Sequence, residues 1–281
     1  MSEDSNQESN DQVGGIIKQT IDSATALVKA VPIYEDAIQP LAKETGKALG
    51  TLGKAVNVAL APISLVVWGY DQIKDFLENK VTEKLENVPE DRITTPPPNV
   101  VGPAVEALKF TGQDPTLQDM FANLIANSLD SKTILEAHPS FVYMIKSLSS
   151  DEGLILKLFA STQNFPMVDV RLNYIKNGGF DILHRNVSQI GVLSNCKHPQ
   201  LTSNYLDNLC RLGILEIPSG QTLNDPKEYE CITSDPILEQ LKKQFEGNQE
   251  VSIDFKQKFI QVTGMGRQFI NACVIDKRVK G

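Results

Sequence analysis

The chain has 281 residues, of which 41% are hydrophobic and 22% charged. This composition is typical of a soluble protein with enough apolar side chains for two ordinary domains or one large one. The net charge of −8 disfavours general binding to nucleic-acid phosphate, because no overall positive field attracts a polyanion. The four cysteines form no CxxC pair, and we see no export signal. We therefore expect reduced thiols in a cytoplasmic protein.

Residues 1–13 are predicted to be a disordered acidic tail, because "MSEDSNQESNDQ" carries four carboxylates and no basic residue. Residues 14–88 read as a glycine-rich helical module. Apolar side chains recur there at helical spacing in "IIKQTIDSATALVKAV". The later stretch "KDFLENKVTEKLENV" alternates apolar side chains with Lys and Glu, which is typical of an amphipathic helix.

The most unusual part of this module is "GKALGTLGKAVNVALAPISLVVWGY", residues 46–70, which carries no formal charge from Ala55 to Tyr70. Its glycines do not have the spacing of a phosphate-binding loop, and Lys54 is followed by Ala55 rather than by Ser or Thr. The uncharged run is also shorter than the roughly 18 apolar residues of a membrane-spanning helix.

Two interpretations of this stretch stay open. Ala42, Gly46 and Gly50 recur every four residues, so one helix face is nearly bare and allows a second helix to approach closely. This pattern favours a buried helical hairpin in the resting protein. In the second interpretation a conformational change brings the stretch to a membrane, with Val66 in the apolar run and Trp68 at the level of the lipid headgroups.

The remaining chain divides into three predicted parts. Residues 89–103 hold five prolines and are expected to be an extended linker that cannot form a regular helix. Residues 104–162 are expected to be helical. Asp114 and Pro115 begin one helix with a buried stripe, and Ser149 with Glu152 forms a capping box before the next.

Residues 163–281 are expected to form a winged-helix-like α+β module. The predicted order is the helix "TSNYLDNLCRLG", a strand, the short strand "EYECI", the helix "DPILEQLKKQF", the strand "VSIDFKQKFIQV" and a closing helix capped by Thr263. "NGGF" at 177–180 has the composition of a turn. The predicted fold class is thus mostly α, with a helical N-terminal region, a helical middle and this C-terminal module.

The sequence contains no pattern that predicts catalysis. His138 precedes a proline and is interpreted as structural. Cys196 and His198 lie two residues apart, but no further ligands follow at a metal-binding spacing, and a nucleophilic pair needs a closeness in space that sequence does not show. We therefore expect a non-enzymatic protein with no catalytic residues, no metal site and no cofactor.

The C-terminal module raises the question of nucleic-acid binding. Lys256, Lys258 and Arg267 would line its wing. Three cations are few beside the six to ten phosphate contacts of a strong binder. We expect the module to bind a protein partner or to mediate self-association. A nucleic-acid-binding or transcriptional regulator is the alternative.

A resemblance to a known family is carried by "VPIYEDAIQPLAKETGKALGTLGKAVNVALAPISLVVWGYDQIKDFLENKV", "VPEDRITTPPPNVVGPAVEAL", "LQDMFANLIANSLD" and "AHPSFVYMIKSLSSDE". These segments resemble the Abi-alpha (abortive infection alpha) family over roughly residues 30–160. The resemblance implies a bacterial protein of anti-phage defence, whose host cell dies or stalls on infection. It brings no established catalytic residue or cofactor and names no phage trigger. We expect one sensing or binding module and one toxic module, in the cytoplasm or peripheral to the inner membrane.

Overall fold

The computed structural model describes residues 70–280, which form two compact units. Among these residues, unit 1 comprises 70–147 and 275–280, and unit 2 comprises 148–274. The sequence led us to expect the α+β module to begin at residue 163, whereas the chain enters unit 2 at Leu148. The predicted acidic tail and the glycine-rich stretch before Tyr70 lie outside the described residues.

Unit 1 is built from helices among its described residues. They are α1 (Tyr70–Asp75), α2 (Thr82–Lys84), α3 (Pro98–Thr111), α4 (Pro115–Ser128) and α5 (Ser140–Lys146). The π-helical turn Phe76–Val81 joins α1 to α2. The described part of unit 1 also contains three 3-10 turns: Glu90–Arg92, Ile134–Glu136 and Lys277–Lys280.

The segment that runs from α1 to α2 confirms the amphipathic helix predicted from its sequence. Phe76, Leu77, Val81 and Leu85 are all buried, while Lys80 between them is exposed. This pattern follows from helical periodicity, which places residues three and four apart on one face. Burial of that face stabilises a segment too short to be helical alone.

The proline-rich stretch differs from its prediction, because α3 begins at Pro98 and continues through Pro103. Pro98 occupies the first turn, where the missing N–H has no intrahelical partner to lose. Pro103 removes the hydrogen bond to the carbonyl of Asn99, and Asn99 is an exposed residue. Burial of the apolar face of α3, which includes Val100 and Leu108, outweighs this loss.

Helix α4 forms as the sequence predicted. The side chain of Asp114 accepts hydrogen bonds from the backbone N–H groups of Thr116 and Leu117, and Pro115 takes the first helical position. The predicted stripe is buried throughout: Leu117, Met120, Phe121, Leu124 and Ile125. The stripe supplies the centre of the apolar core of unit 1.

The segment 275–280 contributes charged side chains to unit 1 that sequence analysis did not single out. Lys277 is buried and its ammonium lies 2.7 Å from the Oδ2 atom of Asp130, which is also fully buried. The carboxylate of Asp276 lies 2.7 Å from the ammonium of Lys84. Two ion pairs, each with a buried lysine, therefore join this segment to residues more than a hundred positions earlier: Asp276 with Lys84, and Lys277 with Asp130.

Unit 2 has an α+β architecture. Its helices are α6 (Ser150–Phe159), α7 (Ile190–Leu193), α8 (Thr202–Arg211), α9 (Glu230–Thr233), α10 (Pro236–Gln244) and α11 (Gly264–Phe269). Its strands are β1 (Asn164–Tyr174), β2 (Phe180–Val187), β3 (Leu215–Glu216) and β4 (Val251–Val262). Shorter turns lie at Pro199–Leu201, Pro226–Tyr229 and, as a π-helical turn, at Ile270–Val274.

The strands form an antiparallel sheet in the order β2-β1-β4-β3. β1 and β4 pair along their length, from Asn164 opposite Gln261 to Tyr174 opposite Val251. One face carries an apolar cluster that alternate residues of the strands share with α9, α10 and the 3-10 turn before α9: Val168, Val170, Tyr229, Ile232, Leu238 and Ile253. The sheet therefore buries one face beneath the α9–α10 segment.

The β1–β2 hairpin was not predicted as a pair of strands, although its turn was. Gly178 and Gly179 have φ angles of +68° and +89°, which glycine adopts without strain. Two register shifts interrupt the pairing of β2 with β1, one of them between Val170 and Arg171. Such bulges break the simple alternation of apolar and polar residues that reveals a strand in sequence.

The strand predicted at "EYECI" is wrong. This stretch ends a 3-10 turn at Tyr229 and continues as α9. Asp225 begins the turn by accepting a hydrogen bond from the N–H of Lys227, and Tyr229 and Ile232 are buried at a helical spacing of three. The predicted order of helix, strand, strand, helix, strand and helix is therefore not the one observed.

Other predictions in unit 2 are confirmed. Ser149 and Glu152 form the expected capping box at the start of α6. α8 is followed by Gly213 with a φ of +71°. β4 and the helix that Asp235 caps both form, and Thr263 caps α11. The caps depend on interactions between residues close in sequence, whereas β4 is recognised by its alternation of apolar residues and pairs with the distant β1.

Helix α11 begins in close contact with the backbone that precedes β3. The hydroxyl of Thr263 donates to the carbonyl of Gly213 at 2.6 Å and accepts from the N–H of Gly266 at 2.8 Å. A Cβ atom at Gly266 would lie 1.9 Å from the carbonyl oxygen of Ile214, whereas one at Gly264 would meet nothing within 4 Å. The same helix thus offers one glycine that is sterically required and one that is not.

We predict that Gly266→Ala destabilises the protein by about 1–3 kcal/mol, because the backbone of Ile214 would have to move. Gly264→Ala is the matched control and should be neutral, or stabilising by up to about 1 kcal/mol through reduced entropy of the unfolded chain. Urea unfolding of both variants measures the difference. Equal stabilities would show that the close contact does not exist.

Candidate functional site: a groove in unit 2

The residues that sequence analysis singled out for helix packing or membrane contact lie outside the described residues: Ala42, Gly46, Gly50, Val66 and Trp68. Their role therefore stays a prediction. Between residues 70 and 280, no helix combines the length and the apolar character needed to cross a membrane.

The three candidate nucleic-acid contacts differ in how they are engaged. Lys258 lies 2.5 Å from the carboxylate of Asp169 and donates to the side-chain oxygen of Asn186 at 2.6 Å. Arg267 is exposed and donates to the carbonyl of Val262 at 3.2 Å. Lys256 is exposed on β4. One of the three charges is therefore already compensated within unit 2.

Cys196 and His198 are not arranged as a nucleophilic pair. The Cys196 thiol lies 3.2 Å from the hydroxyl of Ser194 and 3.5 Å from the backbone carbonyl of Asp151. Burial raises the pKa of this thiol, which disfavours the reactive thiolate. Among residues 70–280, no group of three or more His, Cys, Asp or Glu side chains is placed to hold a metal ion.

The same segment is instead fixed by a buried carboxylate. Asp151 accepts hydrogen bonds from the backbone N–H groups of Lys197 and His198, at 2.8 and 2.9 Å, and from the hydroxyl of Tyr205 at 3.0 Å. Burial and the bond to Asp151 raise the pKa of Tyr205 to about 12, so this phenol stays protonated. Asp151 thus anchors the loop that leads from α7 to α8.

This loop forms one wall of an open groove with a volume of about 630 Å³. The other walls are the end of β2 with the turn that follows it, and the segment from α9 to the first turn of α10. The volume lies within the range of ligand and peptide sites. The groove belongs entirely to unit 2.

The loop wall is closely packed at Gly191. A Cβ atom there would lie 2.0 Å from the hydroxyl oxygen of Thr202 and 3.2 Å from the Cα atom of Pro199. Thr202 also donates to the carbonyl of Pro199 at 2.5 Å. Helix α7 is thereby held directly against the segment that lines the groove, which gives this wall a fixed shape.

The rim of the groove exposes large apolar side chains. Ile237 is 76% exposed and Leu183 is 40% exposed, and both line the groove. Three further apolar side chains in α7 and the loop from α7 to α8 are exposed but do not line the groove: Val192, Leu193 and Leu201. Exposed apolar side chains at the edge of a concave surface, as at Leu183 and Ile237, are typical of a site that binds another protein.

Polar groups also line the groove. Ser188 has a buried hydroxyl oxygen without a hydrogen-bond partner in the described part of the chain. His184 and Arg185 are exposed beside it, and Gln189 donates to the backbone carbonyl of Cys231 at 3.2 Å. The groove thus combines apolar contact area with a few polar groups that can orient a bound segment.

A second groove of about 610 Å³ lies between α10 and β4. Lys242 lies over the ring of Phe255 in its wall, 5.9 Å from the ring centroid. Its lining carries Glu239 and Glu246 as well as Lys243. Large exposed apolar side chains line the first groove and not this one, so the first is the better candidate for recognition.

The sequence predicted protein binding for this part of the chain, but it gave no sign of the groove. Leu183 and Ile237 lie on β2 and α10, which the fold brings to one rim. The missing signal is the β2 strand, whose bulges conceal it.

Comparison with known proteins gives one family. The family described as Abortive infection alpha matches residues 69–273. No curated protein matches the chain. Among solved structures, an uncharacterized protein from the hydrocarbon-degrading marine bacterium Alcanivorax borkumensis SK2 shares 16% sequence identity. The match covers 50% of this chain and 92% of that one, with a TM-score of 0.31, which is too low to support a structural argument.

Proposed function

We propose that this chain, which belongs to the abortive infection alpha family, acts in anti-phage defence as a non-enzymatic protein with separate binding and toxic modules. Membership of the family indicates the defence role. We assign the binding module to unit 2 and the toxic module to the glycine-rich N-terminal stretch. The proposal places the protein in the cytoplasm or at the inner face of the inner membrane.

The groove of unit 2 is the observation that carries the assignment of the binding module. Its apolar rim at Leu183 and Ile237 is exposed, while the loop wall behind it is fixed by Asp151 and by the close packing of Gly191. A rigid wall with an apolar rim suits a protein segment, because little conformational entropy is lost when it binds. The phage trigger or an adaptor protein would bind here.

We predict that Ile237→Asp abolishes protection from phage without loss of fold. A charge at the rim would have to be desolvated on binding, and a loss of 1.4 kcal/mol already weakens binding about tenfold. The measurement is the plating efficiency of a panel of phages on cells that carry each variant, with thermal unfolding of the purified protein beside it.

Leu135→Asp is the matched control, because Leu135 is 91% exposed on unit 1, outside the groove. It should leave both protection and stability unchanged, as is usual for an exposed site. Full protection by Ile237→Asp would reject the groove as the recognition surface.

The toxic module is proposed from sequence. The run from Ala55 to Tyr70 carries no charge, so this chain, a second copy or lipid has to cover it in the active protein. We propose that the stretch is protected at rest and contacts the inner membrane after triggering. The pattern of Ala42, Gly46 and Gly50 would permit close helix contact in the protected form.

We predict that Val66→Lys, provided that thermal unfolding shows the variant to be folded, abolishes toxicity, because a lysine in the apolar run is costly to place in lipid. Val66→Leu, which keeps the apolar character, should remain toxic. Dye release from liposomes of phosphatidylethanolamine and phosphatidylglycerol measures the membrane activity. A wild-type protein that neither binds these liposomes nor depolarises infected cells would reject the membrane role.

The alternative function is a regulator that binds nucleic acid through a winged-helix-like use of unit 2. It would rely on Lys256, Lys258 and Arg267, of which Lys258 already contacts Asp169. We predict no gel shift with double- or single-stranded DNA or RNA at physiological salt. Tight binding that weakens steeply with added salt would favour this alternative over the protein-binding groove.

A further inference from the structure

The ammonium group of Lys277 occupies a complete hydrogen-bonding site in unit 1. It lies 2.7 Å from Asp130 Oδ2, 2.9 Å from Thr133 Oγ1 and 3.2 Å from Asn127 Oδ1. An ammonium has three N–H donors, and each of the three finds one acceptor. The side chain of Lys277 is 3% exposed, so water does not compete for these contacts.

The three acceptors are themselves held in place by unit 1. Arg92 binds the carboxylate of Asp130 with two hydrogen bonds, of 3.0 and 2.6 Å. Asn127 donates its amide to the carbonyl of Asn123 at 2.9 Å, which directs its side-chain oxygen toward Lys277. Thr133 donates to the carbonyl of Asn127 at 2.9 Å and so offers a lone pair to the ammonium. The site is therefore oriented by groups other than its occupant.

Lys277 belongs to the segment 275–280, which polar contacts hold against the rest of unit 1. Asp276 contacts Lys84 at 2.7 Å, Arg278 contacts Glu83 and Asp276, and Val279 is 80% exposed. When such a segment leaves, its charged groups regain their hydration, and the large apolar side chain that has to enter water is the partly buried Ile275 at its start. Breaking the buried pair of Lys277 with Asp130 is itself costly, so displacement requires an incoming ammonium group that restores the pair.

Stability alone does not account for a buried lysine here. Replacing a buried ion pair with apolar residues of similar volume is often neutral or stabilising, because both charges pay a desolvation cost. A site that orients three acceptors toward one ammonium is better explained by recognition of that group.

We propose that Asp130, Thr133 and Asn127 form a binding site for a primary ammonium group. Lys277 occupies it in the resting protein, which makes residues 275–280 a displaceable segment of unit 1. The competing occupant is a lysine side chain of a partner protein. Binding of that lysine would free the segment and give unit 1 a means of responding to a partner, independently of the groove in unit 2.

Chemical rescue of full-length Lys277→Ala tests the site. The substitution removes three carbons and the ammonium group, which together correspond to n-propylammonium. Because it breaks a buried ion pair, it should lower the midpoint of thermal unfolding by on the order of 10 °C. Added n-propylammonium chloride should raise the midpoint of Lys277→Ala, with a gain that grows as the logarithm of its concentration. It should not raise that of the wild type, whose site is full.

Two solutes of similar size are the controls. Tetramethylammonium chloride carries the charge without N–H donors, and n-propanol carries the chain without the charge. Neither should stabilise Lys277→Ala, whereas equal stabilisation by all three would overturn the proposal. Lys277→Met, which fills the space with an apolar side chain, should not respond to n-propylammonium, and a response would likewise contradict a site at this position.

Thr133→Val tests displacement in a protein that keeps Lys277, and it decides the matter if Lys277→Ala does not fold. It removes one acceptor with little change in shape. Hydrogen exchange measured by mass spectrometry should become faster in residues 275–280 and stay unchanged in α4. If residues 275–280 exchange only when α4 does, in the wild type and in Thr133→Val, the segment opens only by global unfolding and the proposal is wrong.

Discussion

A fully buried carboxylate has to be neutralised and hydrogen-bonded, and in unit 1 this requirement falls on Asp130. Burial opposes its ionisation, but hydrogen bonds from Arg92, Lys277 and the N–H of Lys132 outweigh burial and lower its pKa to about 2. Asp130 is therefore charged at neutral pH. Three segments distant in sequence have to meet at this one group, and the bridge between Ile93 and Asp130 aligns two of them. The helices of unit 1 supply apolar burial, while Asp130 determines which segments come together.

In unit 2 a buried carboxylate likewise has to be hydrogen-bonded, and here it fixes a loop at the protein surface. Asp151 is buried and accepts the N–H groups of Lys197 and His198, which fixes the loop between α7 and α8. That loop continues into Pro199 and Thr202, which form a wall of the groove. The shape of the exposed groove thus depends on a carboxylate that is itself buried. A loop without such an anchor would lose more entropy on binding and would recognise its partner less selectively.

The sequence predicts the parts of this structure that depend on neighbouring residues. The caps at Asp114 and Thr263 and the capping box at Ser149 are correct because donor and acceptor lie within three residues. The same local reasoning was wrong for α3, where burial overrides the interior Pro103, and for the strand expected at "EYECI". It could not find the Asp130–Lys277 contact or the groove, because neither has a signal at short range. Buried Lys and Asp look like solvated charges until the fold brings them together.

Several Lys and Arg side chains of the described residues form ion pairs within the fold, and this affects which ligands the protein can bind. Arg92 and Lys277 compensate Asp130, and Lys258 compensates Asp169. These cations are engaged in ion pairs within the fold and are not available to form a phosphate footprint. Among the described residues, the groove carries one cationic side chain, Arg185, beside its exposed apolar rim. The protein binding that we propose for this groove would depend little on salt, whereas binding to a polyanion would weaken steeply. This contrast supports the proposal of a protein rather than a nucleic acid as the ligand of unit 2.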